Sequence, residues 1–197
     1  MVCLDVTEGV HMSQFNQIDR PCFYPGQILT ADDLRGILDY CHDKERLHNR
    51  FLHGWGIVTG LSVLIEKGTV VVSPGIALDC AGNELILPQS ESISLANLEG
   101  RHYVAVRYVE VPIGNVPSPS EGTDLCLMSD KTEAKRIREE VKVELSAVNP
   151  YAGYGAHRLG DPGCGQSHAL CIATIIKRDA RWRVIPTKGG LLHRKRR

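Results

Sequence analysis

"KERLHNRFLHGWGIVTGL", residues 44–61, begins as a charged helix and ends as a strand. Between those two ends lie Gly54, Gly56 and Gly60, Trp55, and the histidines His48 and His53. Two readings compete. A catalytic loop would use the two imidazoles. A rigid joint would use the glycines to turn the chain sharply and the indole to cover the turn, burying on the order of 150–250 Å². Arg46, His48, Asn49 and His53 then supply hydrogen-bonding groups beside the corner. The joint reading takes in Arg46, His48, Asn49, His53, Gly54, Trp55, Gly56 and Gly60.

Upstream, "NQIDRPCFYPGQIL" (16–29) carries two prolines and a Pro25-Gly26 turn signal, so it reads as an extended lead-in. Thr30 is a good N-cap, and Asp32 and Asp33 suit the positive end of a helix dipole. The pattern predicts a helix over 31–52. Leu34, Ile37, Leu38, Cys41, Leu47, His48, Phe51 and Leu52 share one broad arc at helical spacing, with Arg35, Asp39, Asp43, Arg46 and Arg50 largely opposite. On that arc Cys41 is expected to be a small core residue. Gly54 and Gly56 end the helix.

Downstream of Gly60 the apolar period changes to two. "LSVLIEKGTVVVSPGIALDCAGNELILP" (61–88) reads as short strands joined at Lys67-Gly68, Pro74-Gly75 and Ala81-Gly82-Asn83, each with a residue that tolerates positive φ. "RHYVAVRYVEV" (101–111) is apolar on both faces at its centre and reads as a central strand. From Val141 the segment 136–148 alternates: Val141, Val143, Leu145 and Ala147 one way, Glu140, Lys142 and Glu144 the other. That is a half-buried antiparallel strand. "HALCIATIIKR" and "RWRVIP" read as a hairpin around Asp179-Ala180. The fold class is therefore mainly β with one long N-terminal α-helix, the β part an antiparallel sandwich or barrel-like domain. The expected organisation is a flexible segment 1–15, a lead-in and docking helix 16–56, a β domain 57–188, and a basic tail 189–197. Aperiodic, Pro/Ser/Gly- or Gly/Tyr-rich stretches at 112–124 and 149–167 are expected to be long loops of the kind that carry interactions.

With 197 residues the chain can bury roughly 70% of its unfolded surface without staples. Lys+Arg and Asp+Glu balance at 23 each, so no general nucleic-acid binding is expected. No apolar run approaches the ~20 residues of a membrane span. The first residues lack a basic and an apolar region, so no secretory leader is expected. Seven scattered cysteines without a C-x-x-C pair then read as reduced, cytosolic thiols.

Metal and catalytic motifs are scarce. A zincin helix places two histidines four apart, about 40° around the axis; His48 and His53 are five apart, about 140°, and are expected to diverge. Cys164, His168 and Cys171 lie within eight residues, but the first is in a loop and the other two straddle a strand. No nucleophile elbow, P-loop or dinucleotide fingerprint occurs. No catalytic residue, cofactor or metal ligand is assigned.

"FYPGQILTADDL" (23–34), "RLHNRFLHGWGIVTGLSV" (46–63) and "VVVSPGIALDCAGNELILP" (70–88) resemble a family of small proteins encoded in gene clusters for phage-tail-like contractile injection systems. The resembling positions span roughly 20–90, and the middle block is the specific one. "HALCIATI" (168–175) is similar to the late strand of some phage baseplate and fibre-attachment modules. The resemblance implies a non-enzymatic, cytoplasmic part of the particle near the baseplate or fibres, multimeric by repetition, with other particle proteins as partners. It assigns no catalytic residue. The arm and the two loops are the candidate partner surfaces, with Phe23, Tyr24, Tyr151 and Tyr154 as candidate contacts. Two alternatives stand beside it: a metal-binding protein or enzyme cargo using His48/His53 or Cys164/His168/Cys171, and a glycan- or ligand-binding β module stacking its ligand on Tyr151 and Tyr154.

Overall fold

The computed structural model describes residues 18–117, 132–150 and 164–187. Helix α1 (Ala31–His48) opens with a capping box. The Thr30 N–H and Oγ1–H both donate to Asp33 Oδ2, at 2.8 and 2.7 Å, and the Asp33 N–H donates back to Thr30 Oγ1 at 3.2 Å. The Thr30 backbone and hydroxyl bonds hold the Asp33 carboxyl below its ordinary pKa. Its capping contribution is therefore present above the ordinary carboxylate range and is lost as pH falls through that lowered pKa. The helix continues as a π-helical turn, Asn49–His53, and stops at Gly54, whose φ of 75° and ψ of −158° suit glycine alone.

The β body contains strands β1 (Gly56–Gly60), β2 (Val63–Glu66), β3 (Thr69–Val72), β4 (Gly75–Leu78), β5 (Glu84–Leu87), β6 (Glu91–Ser94), β7 (Arg101–Pro117), β8 (Thr132–Ser146), β9 (Leu170–Arg178) and β10 (Arg181–Pro186). They form three antiparallel sheets, ordered β1-β4-β5, β2-β3-β6 and β10-β9-β7-β8. None of the sheets closes into a barrel. Turn chemistry sets the short hairpins. Lys67 and Gly68 both take positive φ, 48° and 77°, between β2 and β3; Asp179 and Ala180 do the same, at 50° and 60°, between β9 and β10. Gly75 instead lies within β4.

One apolar core joins the sheets. Ala77, Leu85 and Leu87 come from the first, Val70 and Val72 from the second, and Val104, Val106, Val143, Leu170, Ile172 and Ile175 from the third. Trp55, 2% exposed, joins them from the corner. β7 is central as its two-sided apolar pattern predicts, paired with β8 and β9. Val143 is buried, and Val141 and Leu145 pack against the core, while Glu140 and Lys142 face out. Ala147 lies beyond the end of β8 and is exposed.

Two expectations need correction. Cys41 is not a core residue: no residue of α1 is buried, and Cys41 is exposed together with Leu34 and Leu38, which are 51% and 60% exposed. The stretch 112–124 is not wholly loop, because β7 runs to Pro117 and pairs with β8 as far as Thr132. Beyond the β9 pairing at 101–106, β7 and β8 continue as a two-stranded ribbon that runs past Pro112, with Gly114 outside the paired register. Residues 1–15, most of the loop at 149–167 and the basic tail 189–197 lie outside the described residues.

Trp55 gives this fold its first test. Replacing it with alanine is expected to cost ~3–5 kcal/mol, the range for emptying a large aromatic site. The urea midpoint measures it; an unchanged midpoint would contradict a packed corner.

Candidate functional site: the seat of the N-terminal arm

The five residues 79–83 join β4 to β5, closing the hairpin whose last pair is Leu78 and Glu84. Asp79 is 1% exposed, and its carboxylate is met by four donors. The Ala81 and Asn83 N–H groups donate to Oδ1 at 2.8 and 2.9 Å; the Asn83 amide and the Ser167 hydroxyl donate to Oδ2 at 2.8 and 2.7 Å. A buried carboxylate is tolerated only when its lone pairs are satisfied in this way. The loop is thereby fixed, and it becomes a seat.

The end of α1 sits on it. Arg46 Nε–H donates to Asn83 Oδ1 at 2.7 Å, and the amide of buried Asn49 donates to the Gly82 carbonyl at 3.0 Å. Arg46 also reaches Glu110 on β7, at 3.8 Å, so one guanidinium bridges the β4–β5 loop and β7. Gly82 has φ of 90°, and a Cβ there would lie 2.4 Å from the Arg46 carbonyl oxygen. Only a glycine lets the loop backbone press this closely on the helix. A small polar cavity of about 70 Å³ remains between the two, lined by His42, Arg46, Asn49, Asn83, Tyr108 and Glu139. Burial, followed by the Glu110 and Glu139 carboxylates, pushes the Tyr108 phenol above its ordinary pKa; its hydroxyl donates to Glu110 at 3.0 Å.

The sequence-derived site residues divide. Arg46, Asn49, Gly54, Trp55 and Gly56 gather at the seat and the corner, and all but the half-buried Arg46 are buried. Gly60 ends β1 and is exposed. His48 and His53 do not diverge, contrary to the helical-wheel expectation. The π-helical turn brings residues five apart nearly into line, and the two Nε2 atoms lie 3.2 Å apart at an exposed position. One imidazole donating to the other accounts for that spacing. Cys164 and His168 also meet, Sγ to Nε2 at 3.1 Å, whereas Cys171 is buried and donates to the Ala173 carbonyl. Among the described residues no group of three or more His, Cys, Asp or Glu side chains is disposed to hold a metal. Phe23 and Tyr24 are exposed on the lead-in; Tyr151 and Tyr154 lie outside the described residues.

Sequence reasoning missed Asp79, Asn83 and Ser167. A signal for the first two was present. In "ALDCAGN" an aspartate follows two apolar residues and precedes a turn, the position from which an Asx side chain bonds backbone N–H groups further on. Nothing local marked Ser167, which is 88 residues away from Asp79.

Beyond the seat the helix stands off the β7–β8 ribbon. A groove of about 790 Å³ opens between them, lined by Arg35, Leu38 and His42 on one side and Glu110, Ile137 and Glu139 on the other.

No family model and no curated protein matches the chain. Among solved structures, similar chains include one from the type VI secretion system TssK–TssF–TssG baseplate subcomplex, at 10% identity and TM-score 0.47. A crystal structure of TssK is similar at 11% identity and TM-score 0.46. Each superposition covers 85% of this chain, which spans 60% of the first chain and 41% of the second.

Gly82→Ala tests the seat. The strained φ and the clash with the Arg46 carbonyl are expected to cost upwards of ~1 kcal/mol. Amide hydrogen exchange should lose protection first over 44–53. Equal protection in the variant would contradict a seat that holds the helix.

Proposed function

We propose that the chain is a non-enzymatic structural component of a contractile, phage-tail-like injection particle. It acts at or near the baseplate or fibre attachment, in the cytoplasm where such particles assemble, and docks onto other particle proteins through its N-terminal arm. Repetition in the particle makes it multimeric. The observation that carries this reading is the arm itself. Its base is tied to the β body by Arg46 and Asn49, yet Leu34, Leu38 and Leu52, with Ile28 and Leu29 on the lead-in, stay exposed. A run of exposed large apolar side chains on one element marks a surface built for a partner. The segments at 23–34, 46–63 and 70–88 that resemble proteins of these systems are the lead-in and first helical turn, the joint with β1, and the seat with its flanking strands. Those segments take in Ile28, Leu29, Leu34 and Leu52 of the exposed surface; Leu38 lies between them.

A rigid base with an apolar tip is what docking requires, because ordering the arm beforehand removes an entropic cost from association. Phe23 and Tyr24 extend the same surface with aromatic contact area.

The test is incorporation. Leu34→Lys with Leu38→Lys keeps good helix formers at exposed sites, so each should change stability by no more than ~0.5 kcal/mol. Particles purified from cells expressing this variant should lack the chain, whereas particles with the unaltered protein retain it. Equal incorporation, or particles that never contain the chain, would overturn the proposal.

A further inference from the structure

Behind the seat, the segment leading into β9 brings a second thiol against the β4–β5 loop. The Gly165 N–H donates to the Cys80 carbonyl at 3.1 Å, and the Ser167 hydroxyl donates to Asp79 at 2.7 Å. These two bonds lay residues 164–168 alongside 79–80. Cys80 is buried in the core cluster, and Cys164, half-buried, packs against that cluster. Burial first, and then the neighbouring Cys164, push the Cys80 thiol up to about 12. Cys164 in turn has the imidazole of His168 at 3.1 Å from its sulfur. One thiol of the pair therefore has a base within reach, and the other lies beside it in the core. Arg50 reaches the same segment: its guanidinium lies 3.0 Å from where a Cβ on Gly165 would sit. A thiol with a base beside it is a setting in which cysteine acts as a nucleophile.

We propose that Cys164 is an oxidisable thiol served by His168, and that Cys80 captures its oxidised form as an intramolecular disulfide. The oxidant is a peroxide. His168 takes the proton from Cys164, and the thiolate sulfur attacks the O–O bond. One oxygen stays on sulfur as sulfenic acid; the other leaves as hydroxide and takes the proton from the imidazolium as water. The Cys80 sulfur then attacks the Cys164 sulfur and the S–OH bond breaks. The departing hydroxide leaves as a second water with the Cys80 proton, passed on by His168. The two sulfurs lose two electrons and the peroxide gains two. The product ties the seat loop to the segment that buttresses it, so oxidation locks the base of the arm. This inference stands on the thiol geometry and not on the docking role.

The experiment treats reduced, full-length protein with equimolar hydrogen peroxide, alkylates remaining thiols, and maps peptides by mass spectrometry without reductant. The expected main product is a Cys80–Cys164 cross-linked peptide that a dithiol reductant removes. Cys80→Ser should leave Cys164 as a sulfenic acid that dimedone traps. His168→Asn should slow the loss of Cys164 by about a hundredfold or more, the scale of a lost general base, at an unchanged melting temperature. Should Cys80 and Cys164 both be recovered alkylated while other cysteines oxidise, the proposal is overturned. Equal rates in His168→Asn and the unaltered protein would overturn it too. If Cys80→Ser fails to fold, the peptide map of the unaltered protein still decides.

Discussion

The Asp79 carboxylate is the constraint on which the architecture turns. It is a charge taken out of water, and its four donors come from its own loop and from Ser167. Leaving such a group unmet costs roughly 1–3 kcal/mol per lost partner and more for a charged one, so the loop has few alternatives to its observed form. That form aims the Gly82 carbonyl and the Asn83 amide outward. Asn49 and Arg46 fasten to those two groups. The direction of an 18-residue helix is thus settled by a carboxylate that never touches it.

This explains how the helix can stand with its apolar arc exposed. Isolated helices of about this length are marginal in water. Here the capping box holds one end, and the seat and the buried Trp55 hold the other. Leu34, Leu38 and Leu52 stay exposed on the arc, while Ile37, Leu47 and Phe51 are half-buried. The groove beside the β7–β8 ribbon has Leu38 on its helix side, and Ile137 among Glu110, Lys135, Arg136 and Glu139 on its ribbon side.

Much of this was legible in the residues. Periods of two and 3.6 placed the strands and the helix, and Thr30 and Gly54 gave the helix its ends. The two-sided apolar centre of β7 predicted its place between neighbours. The failures have physical causes. A helical wheel assigns an apolar arc but does not say whether the arc faces this chain or another, so Cys41 reads as a core residue although it is exposed. The same wheel assumes 3.6 residues per turn; the π-helical turn breaks that assumption, and His48 and His53 meet. The Asp79 network joins residues 88 apart in sequence, and no local pattern reports a contact at that distance.

The central claim is that helix and β body form one rigid unit. Residual dipolar couplings of backbone amides in weakly aligned protein test it directly, since they report the orientation of each element in a common frame. The account predicts that couplings from 31–48 and from the ten strands fit a single alignment tensor. Two different tensors, with a smaller magnitude for the helix, would show an arm that swings on its joint and would contradict the account.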